Sequence, residues 1–310
     1  MSSDASASST PAERAHELSL ADAYEAINEA DDPRWAYGTG FADPLAGVDT
    51  RLPAGVDGAD LAAYCLMLGD DALIMSHRLQ EWCARAPELE EEVALANVAL
   101  DLLGQARLLL SRAGAAEGAG RDEDAFAFLR EPGEFRNVRL AEAENGDFGQ
   151  ETARLLIFST WRLALLDRLA GSRDPVLAAV AAKGVKEVAY HRDYAAGWVV
   201  RLGDGTPYSR LRVIEGLAAV WPDVAELFVP HEVESRLAEA GVGVDPATLR
   251  EEFDAVIHHV LTTATLTVPA AAPPVENRTG RGRDGVHTAA LTRLLAEMQS
   301  VARADRGARW

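Results

Sequence analysis

The chain has 310 residues, 48% of them apolar, and a net charge of −19. That length is ample for a hydrophobic core, and that composition excludes global disorder. The acidic balance excludes general nucleic-acid binding and docking on an anionic membrane, which both need clustered Lys and Arg, while leaving room for a local basic patch.

In chain order, residues 1–20 are Ser/Ala-rich and read as a disordered tail. Residues 21–58 read as an irregular arm carrying a short helix near "LADAYEAINEA". A helical domain follows over 59–304, with a tail at 305–310. Its first long helix covers 59–85, where Leu61, Cys65, Leu68, Ala72, Leu79 and Cys83 form an apolar stripe. Pro87 opens a second helix over 87–112. A Gly-rich turn, a short helix around "DAFAFLR" and a loop lead to a third helix over 148–170. "GSRDP" offers Asp174 as an N-cap for a fourth, 175–202. Shorter helices are expected at 207–228, 231–240, 246–260 and 286–304, with an extended Pro/Gly-rich stretch before the last. Strict alternation is nearly absent, so strands are not expected. Four long helices with one longer connection after the second describe an all-α, ferritin-like four-helix bundle with additional C-terminal helices.

Cys65 and Cys83 lie 18 residues apart on one predicted helix. That is roughly 27 Å at 1.5 Å per residue, too far to pair. With no CxxC, they read as reduced core thiols of a cytoplasmic protein. No signal-peptide core and no run of 18 apolar residues is present, so no membrane span is expected.

One stretch raises a chemical question. "ALANVALDLLGQAR" (94–107) is apolar, yet Asn97, Asp101 and Gln105 recur every four residues, with Gly104 beside the last two. Such a polar file is a wet helix face, a set of metal ligands, or the remnant of one. In di-iron bundles two helices each give a Glu and two give Glu-x-x-His, because i and i+3 point into the core together. Two segments match this spacing outside the bundle, Glu13 to His16 in the tail and Asp284 to His287 in a Gly-rich segment. On the bundle helices the pattern is degenerate. Gly104 stands three after Asp101, and Tyr190 stands three after Glu187, with His191 one residue late. Asp167 on the third helix is a further inward candidate, and His77 with Glu81 has ordinary ion-pair spacing. About six aligned ligands are needed for two irons and about half that number is found, so no metal is expected here. A buried Asp101 would then need a cation such as Lys186 or Arg78, and Glu187 a partner in Lys183 or His191. His258 and His259 read as surface residues, and Trp161, Trp198 and Trp221 as packing anchors. No GxSxG, GxxxxGK[ST] or HExxH occurs.

The segments "YCLMLGDDALIMSHRLQEWCARAPELEEEVALANVALDLLGQARLLL", "KEVAYHRDYAAGWVVRLGDGT" and "DGVHTAALTRLLAEMQSVAR" resemble the C subunits of bacterial ring-1,2-phenylacetyl-CoA epoxidases, over about 58–304. The resemblance implies a ferritin-like subunit of a multicomponent monooxygenase of aerobic phenylacetate degradation. It implies that the catalytic di-iron site lies in a partner A subunit. This chain would be a metal-free, non-catalytic support for it in a hetero-oligomer. A B subunit and a reductase with flavin and an iron–sulfur cluster, drawing on NADPH, complete the implied system. The resemblance favours reading Asp101, Gly104, Asp167, Glu187, Tyr190 and His191 as positions of a lost di-iron site. It further leads to the expectation that the isolated chain exposes an apolar helix face. Two other readings stand beside it: an active ferritin-like metalloenzyme with ligands drawn from Asp101, Asp167, Glu187 and His191, and a helical adaptor unrelated to oxygenases.

Overall fold

The computed structural model describes residues 45, 47–270 and 280–305, all within one unit that begins at Pro44. The expected tail, the helix near 20–30, and the Glu13/His16 pair lie outside the described residues. Among the described residues there are helices and turns and no strand. The four long helices are α1 (Gly58–Gln80), α2 (Leu89–Glu117), α5 (Phe148–Leu169) and α6 (Pro175–Gly203). Two short helices, α3 (Glu123–Phe128) and α4 (Arg139–Glu142), lie in the long connection between α2 and α5. After α6 come α7 (Pro207–Val220), α8 (Glu232–Glu239), α9 (Arg250–Thr263), α10 (Ala289–Met298) and α11 (Ser300–Ala304).

Local chemistry starts and stops the long helices. Asp57, Asp147 and Asp174 each accept backbone N–H groups of the first turn of α1, α5 and α6. Gly118, at φ +70°, ends α2 in the left-handed conformation that glycine adopts without strain. α1 packs along α2 and α5 along α6, and α2 meets α6 to join the two pairs into a bundle. α7 crosses α5 very closely. A Cβ at Gly216 would sit 2.5 Å from the Gln150 Cα, and one at Gly149 2.9 Å from the Arg212 backbone, so two glycines make the crossing possible.

α2 is the one described helix long and apolar enough by composition to cross a membrane. In the sequence its apolar run is interrupted by Asp101 and Arg107. Here it packs lengthwise on α1 as a bundle helix.

α1 is buried nearly all round, and this is why it carries two adjacent carboxylates at its centre. Asp70 binds Arg130 and accepts the Arg136 N–H at 2.8 Å. Asp71 binds Arg283 at 2.8 Å and accepts the Val138 N–H at 2.8 Å. A buried carboxylate is tolerated only when paired and hydrogen-bonded in this way. These pairs tie the connection before α5 and the C-terminal segment onto the bundle.

Several predicted boundaries shift. α1 stops at Gln80, so Cys83 lies in the following turn and not on the helix. Past that end Trp82 turns its Nε1 to Glu151 Oε2 at 3.1 Å. α2 starts at Leu89, two residues after Pro87. The helix expected over 207–228 ends at Val220, because Pro222 lacks the next N–H; two 3₁₀ turns follow. The last expected helix is two, α10 and α11, broken at Gln299, whose side chain donates to the carbonyls of Ala127 and Arg130.

Candidate functional site

The polar file on α2 is not one face. Each step of four residues turns about 40° past a full circle. Asn97 is therefore exposed, Asp101 partly exposed and Gln105 buried at 2%. α6 meets this file in the opposite direction. Asp101 faces His191 and Gln105 faces Glu187.

His191 is 1% exposed, and its Nε2 lies 3.0 Å from Asp101 Oδ2. A carboxylate can only accept, so the ring proton belongs on Nε2. One turn deeper, Gln105 Nε2 donates to Glu187 Oε2 at 2.9 Å. Lys183 Nζ reaches the other Glu187 oxygen at 3.1 Å. Gln105 Oε1 accepts in turn from Arg162 Nε of α5 at 3.0 Å. Arg162 is fully buried, and its Nη1 donates to the Leu68 carbonyl of α1 at 3.3 Å. One network thus joins all four long helices. Gly184 makes room for it: a Cβ there would meet Leu166 at 2.9 Å and the Gln105 amide at 3.4 Å.

Burial pulls the Arg162 guanidinium down to about 10, against the pull of Asp71 and Glu187, which favour the charge. It stays cationic at neutral pH. Its Nη2 has no hydrogen-bond partner among the described residues. The centre of the bundle is therefore a fixed positive charge held by an amide and a carbonyl.

The expected partners of Asp101 are replaced. Lys186 is exposed, and Arg78 is spent on Glu81 and the carbonyls of Glu142 and Ala290. The buried cross-helix partner is His191. Glu187 takes Lys183 and Gln105, and not His191. Of the degenerate positions, Asp101, Glu187 and His191 come together. Tyr190 is 56% exposed, because one residue's turn carries it outward while His191 goes in. Gly104 opens to space, with nothing within 4 Å of a Cβ. Asp167 lies on the exposed side of α5 and is not a site residue. His77 and Glu81 do not pair: Glu81 binds Arg78 and Asn145. His287 binds Glu142 Oε2 at 2.6 Å, and Asp284 binds Arg281 at 3.0 Å, so that pair serves the C-terminal segment.

The donor set does not fit two irons. A di-iron bundle brings four carboxylates and two imidazoles to one point. Here α1 has its two buried acids, Asp70 and Asp71, committed to Arg130 and Arg283, and α5 brings a cation. The nearest buried acid on α5, Glu151, lies about 16 Å further along the helix and binds Trp82 and Arg154. No three His, Cys, Asp or Glu side chains converge as a metal site among the described residues. The His191 imidazole is 1% exposed and lies behind Asp101, whose side chain is 39% exposed. What the arrangement does is cross-link four helices.

Sequence reasoning missed Arg162. An Arg reads as a surface residue unless its helix is known to be buried on that side. The adjacent Asp70 and Asp71 were a usable signal, since two acids in the middle of an apolar stripe demand buried cations.

Comparison with known proteins adds a family to this geometry. A family model described as "Phenylacetic acid catabolic protein" matches residues 50–310. Among curated proteins, the chain is similar to the C subunit of 1,2-phenylacetyl-CoA epoxidase from Escherichia coli (strain K12). The two are 46% identical over 250 residues, which cover 81% of this chain and 99% of that protein.

Proposed function

The chain belongs to the phenylacetic acid catabolic protein family, and from that premise we propose that it is the non-catalytic structural subunit of a phenylacetyl-CoA 1,2-epoxidase complex. In this reading the di-iron centre belongs to a homologous A subunit. A B subunit and an NADPH-dependent reductase with flavin and an iron–sulfur cluster serve the same cytoplasmic system. The observation that carries the reading is the bundle centre. Gln105 bridges Arg162 and Glu187 across three helices, and beside them Asp101 pairs with His191, so the side chains on which metal ligands were sought are committed to one another.

The surface supports a partner. On α2, Leu89, Val93 and Leu100 are 70%, 52% and 61% exposed and lie along one side of the helix, beside the open space at Gly104. On α7, Tyr208, Leu211 and Ile214 form a second exposed apolar stripe. Contiguous apolar helix faces of this kind mark protein interfaces, and obligate ones are large and apolar. Such a subunit helps a bundle that admits a bulky thioester to keep its shape.

The test is co-expression with the A subunit, with metal content and epoxidation measured with and without this chain. The proposal requires a stable complex, iron assigned to A, and turnover that needs both chains. If the chain stays monomeric and fails to bind A, the proposal loses its basis.

A further inference from the structure

An open groove of about 740 Å³ runs between α6 and α9, on a side of α6 that takes no part in the central network. Its floor is small and apolar: Ala196, Gly197 and Val200 from α6, and Ala255, Val256 and Val260 from α9. Arg192 and Arg201 stand on its α6 wall, and His259 on the opposite one. The two arginines are nine residues apart, about 13 Å, or two and a half helical turns.

We propose that this groove seats an acidic amphipathic helix from another subunit of the complex. This rests on the subunit reading above. Charge is the first argument. The chain as a whole carries −19, yet the charged lining of the groove is two arginines and a single aspartate. The α9 wall from Ala255 to Thr263 has no carboxylate, and the α6 wall from Arg192 to Arg201 has one, Asp193, 3.3 Å from Arg192. Lys186 is exposed further along the same helix, whereas Lys183 is paired with Glu187. Arg201 is held in place by lying over the Trp198 ring, 5.1 Å from its centroid. Shape is the second argument. The trough is open along its length, so it covers one side of a rod and does not enclose a small ligand. Gly197 has nothing within 4 Å of a Cβ, which leaves the floor low enough for another helix to approach closely. Apolar anchors at i, i+3/i+4 and i+7 on the guest would meet the floor, and acids along its edges would meet the arginines.

The experiment measures the affinity of the full-length chain for purified A and B subunits, at low and raised salt. Arg192→Glu/Arg201→Glu reverses the edge charges, and Gly197→Trp fills the floor. Both substitutions lie on solvated surface, and an unchanged melting temperature checks that each variant folds. The expected result is at least a tenfold loss of affinity for one subunit in both variants, with the wild-type interaction weakening as salt rises. Two outcomes overturn the groove proposal while leaving the subunit reading intact. In one, the wild-type chain binds A or B, and both variants bind within about twofold of it. In the other, the variants change only self-association by sedimentation or only binding of phenylacetyl-CoA. A wild-type chain that binds neither subunit overturns both.

Discussion

Replacing Asp101 by Ala removes the acceptor that faces a buried imidazole, and the geometry says what that costs. His191 is 1% exposed, so its Nε2–H would lose its hydrogen bond inside the protein. A buried donor left unpaired costs about 1–3 kcal/mol. Asp101 itself is 39% exposed, so the truncation leaves little cavity and lets water approach, which puts the cost near the low end, about 1–2 kcal/mol. His191→Leu should be cheaper, below about 1 kcal/mol, because Leu fills the buried volume and Asp101 returns to water. Asp101→Asn keeps an acceptor and should lose least. The assay is a double-mutant cycle by urea or thermal unfolding, in chelator and again with added ferrous iron. At about 2–4 °C per kcal/mol for a domain of this size, Asp101→Ala should melt about 2–8 °C below the wild type in either buffer. The reasoning is refuted if His191→Leu is the costlier change, or if the Asp101→Ala effect disappears in chelator, as a lost metal site would have it.

Asp71→Ala should cost about 3–5 kcal/mol in unfolding measurements, since it removes the carboxylate bonded to the buried Arg283 and leaves Glu234 at 3.7 Å and the carbonyls of Met67 and Arg136 to answer it. Burial holds the His77 imidazole below its ordinary value of 6.5. Its neutral form therefore contributes stability that is complete above that value and is lost as pH falls through the lowered one. Against a His77→Gln variant, the wild type should lose relative stability as pH falls below about 6.5, by no more than about 1.4 kcal/mol per pH unit; a flat difference would contradict it. Gly216→Ala drives a methyl into the α5 backbone and should destabilise by about 1–3 kcal/mol, read as a lower urea midpoint.

The long helices were legible because their apolar periodicity and Asp caps are local signals. Their ends were less so where a single proline or a distant contact decides. Pro222 was visible in the sequence, but the Trp82–Glu151 bond that accompanies the end of α1 joins residues 69 apart. The site shows the same division. Asn97, Asp101 and Gln105 stood out by spacing but read as one face, and the drift of each four-residue step sets them in three different environments. Which cation met Asp101 was not readable. Lys186 and Arg78 were the expected partners, and the one observed, His191, is selected by the register of α2 against α6. Asp167 failed for a related reason: a polar residue near the end of an apolar helix lies inside or outside according to a rotation the sequence does not print. Asp70 and Asp71 signalled buried cations without saying which, and Arg162 and Arg283 could not be picked out because an arginine becomes a core residue only when a far segment supplies its partners.

The most direct test is turnover of phenylacetyl-CoA by the reconstituted complex carrying Asp101→Asn/Glu187→Gln in this chain. The two changes preserve the hydrogen-bond acceptors facing His191 and Gln105 and remove both carboxylates that a metal here would require. A structural subunit predicts wild-type turnover and unchanged iron in the complex. Loss of turnover together with loss of iron would place the chemistry in this chain and contradict the assignment.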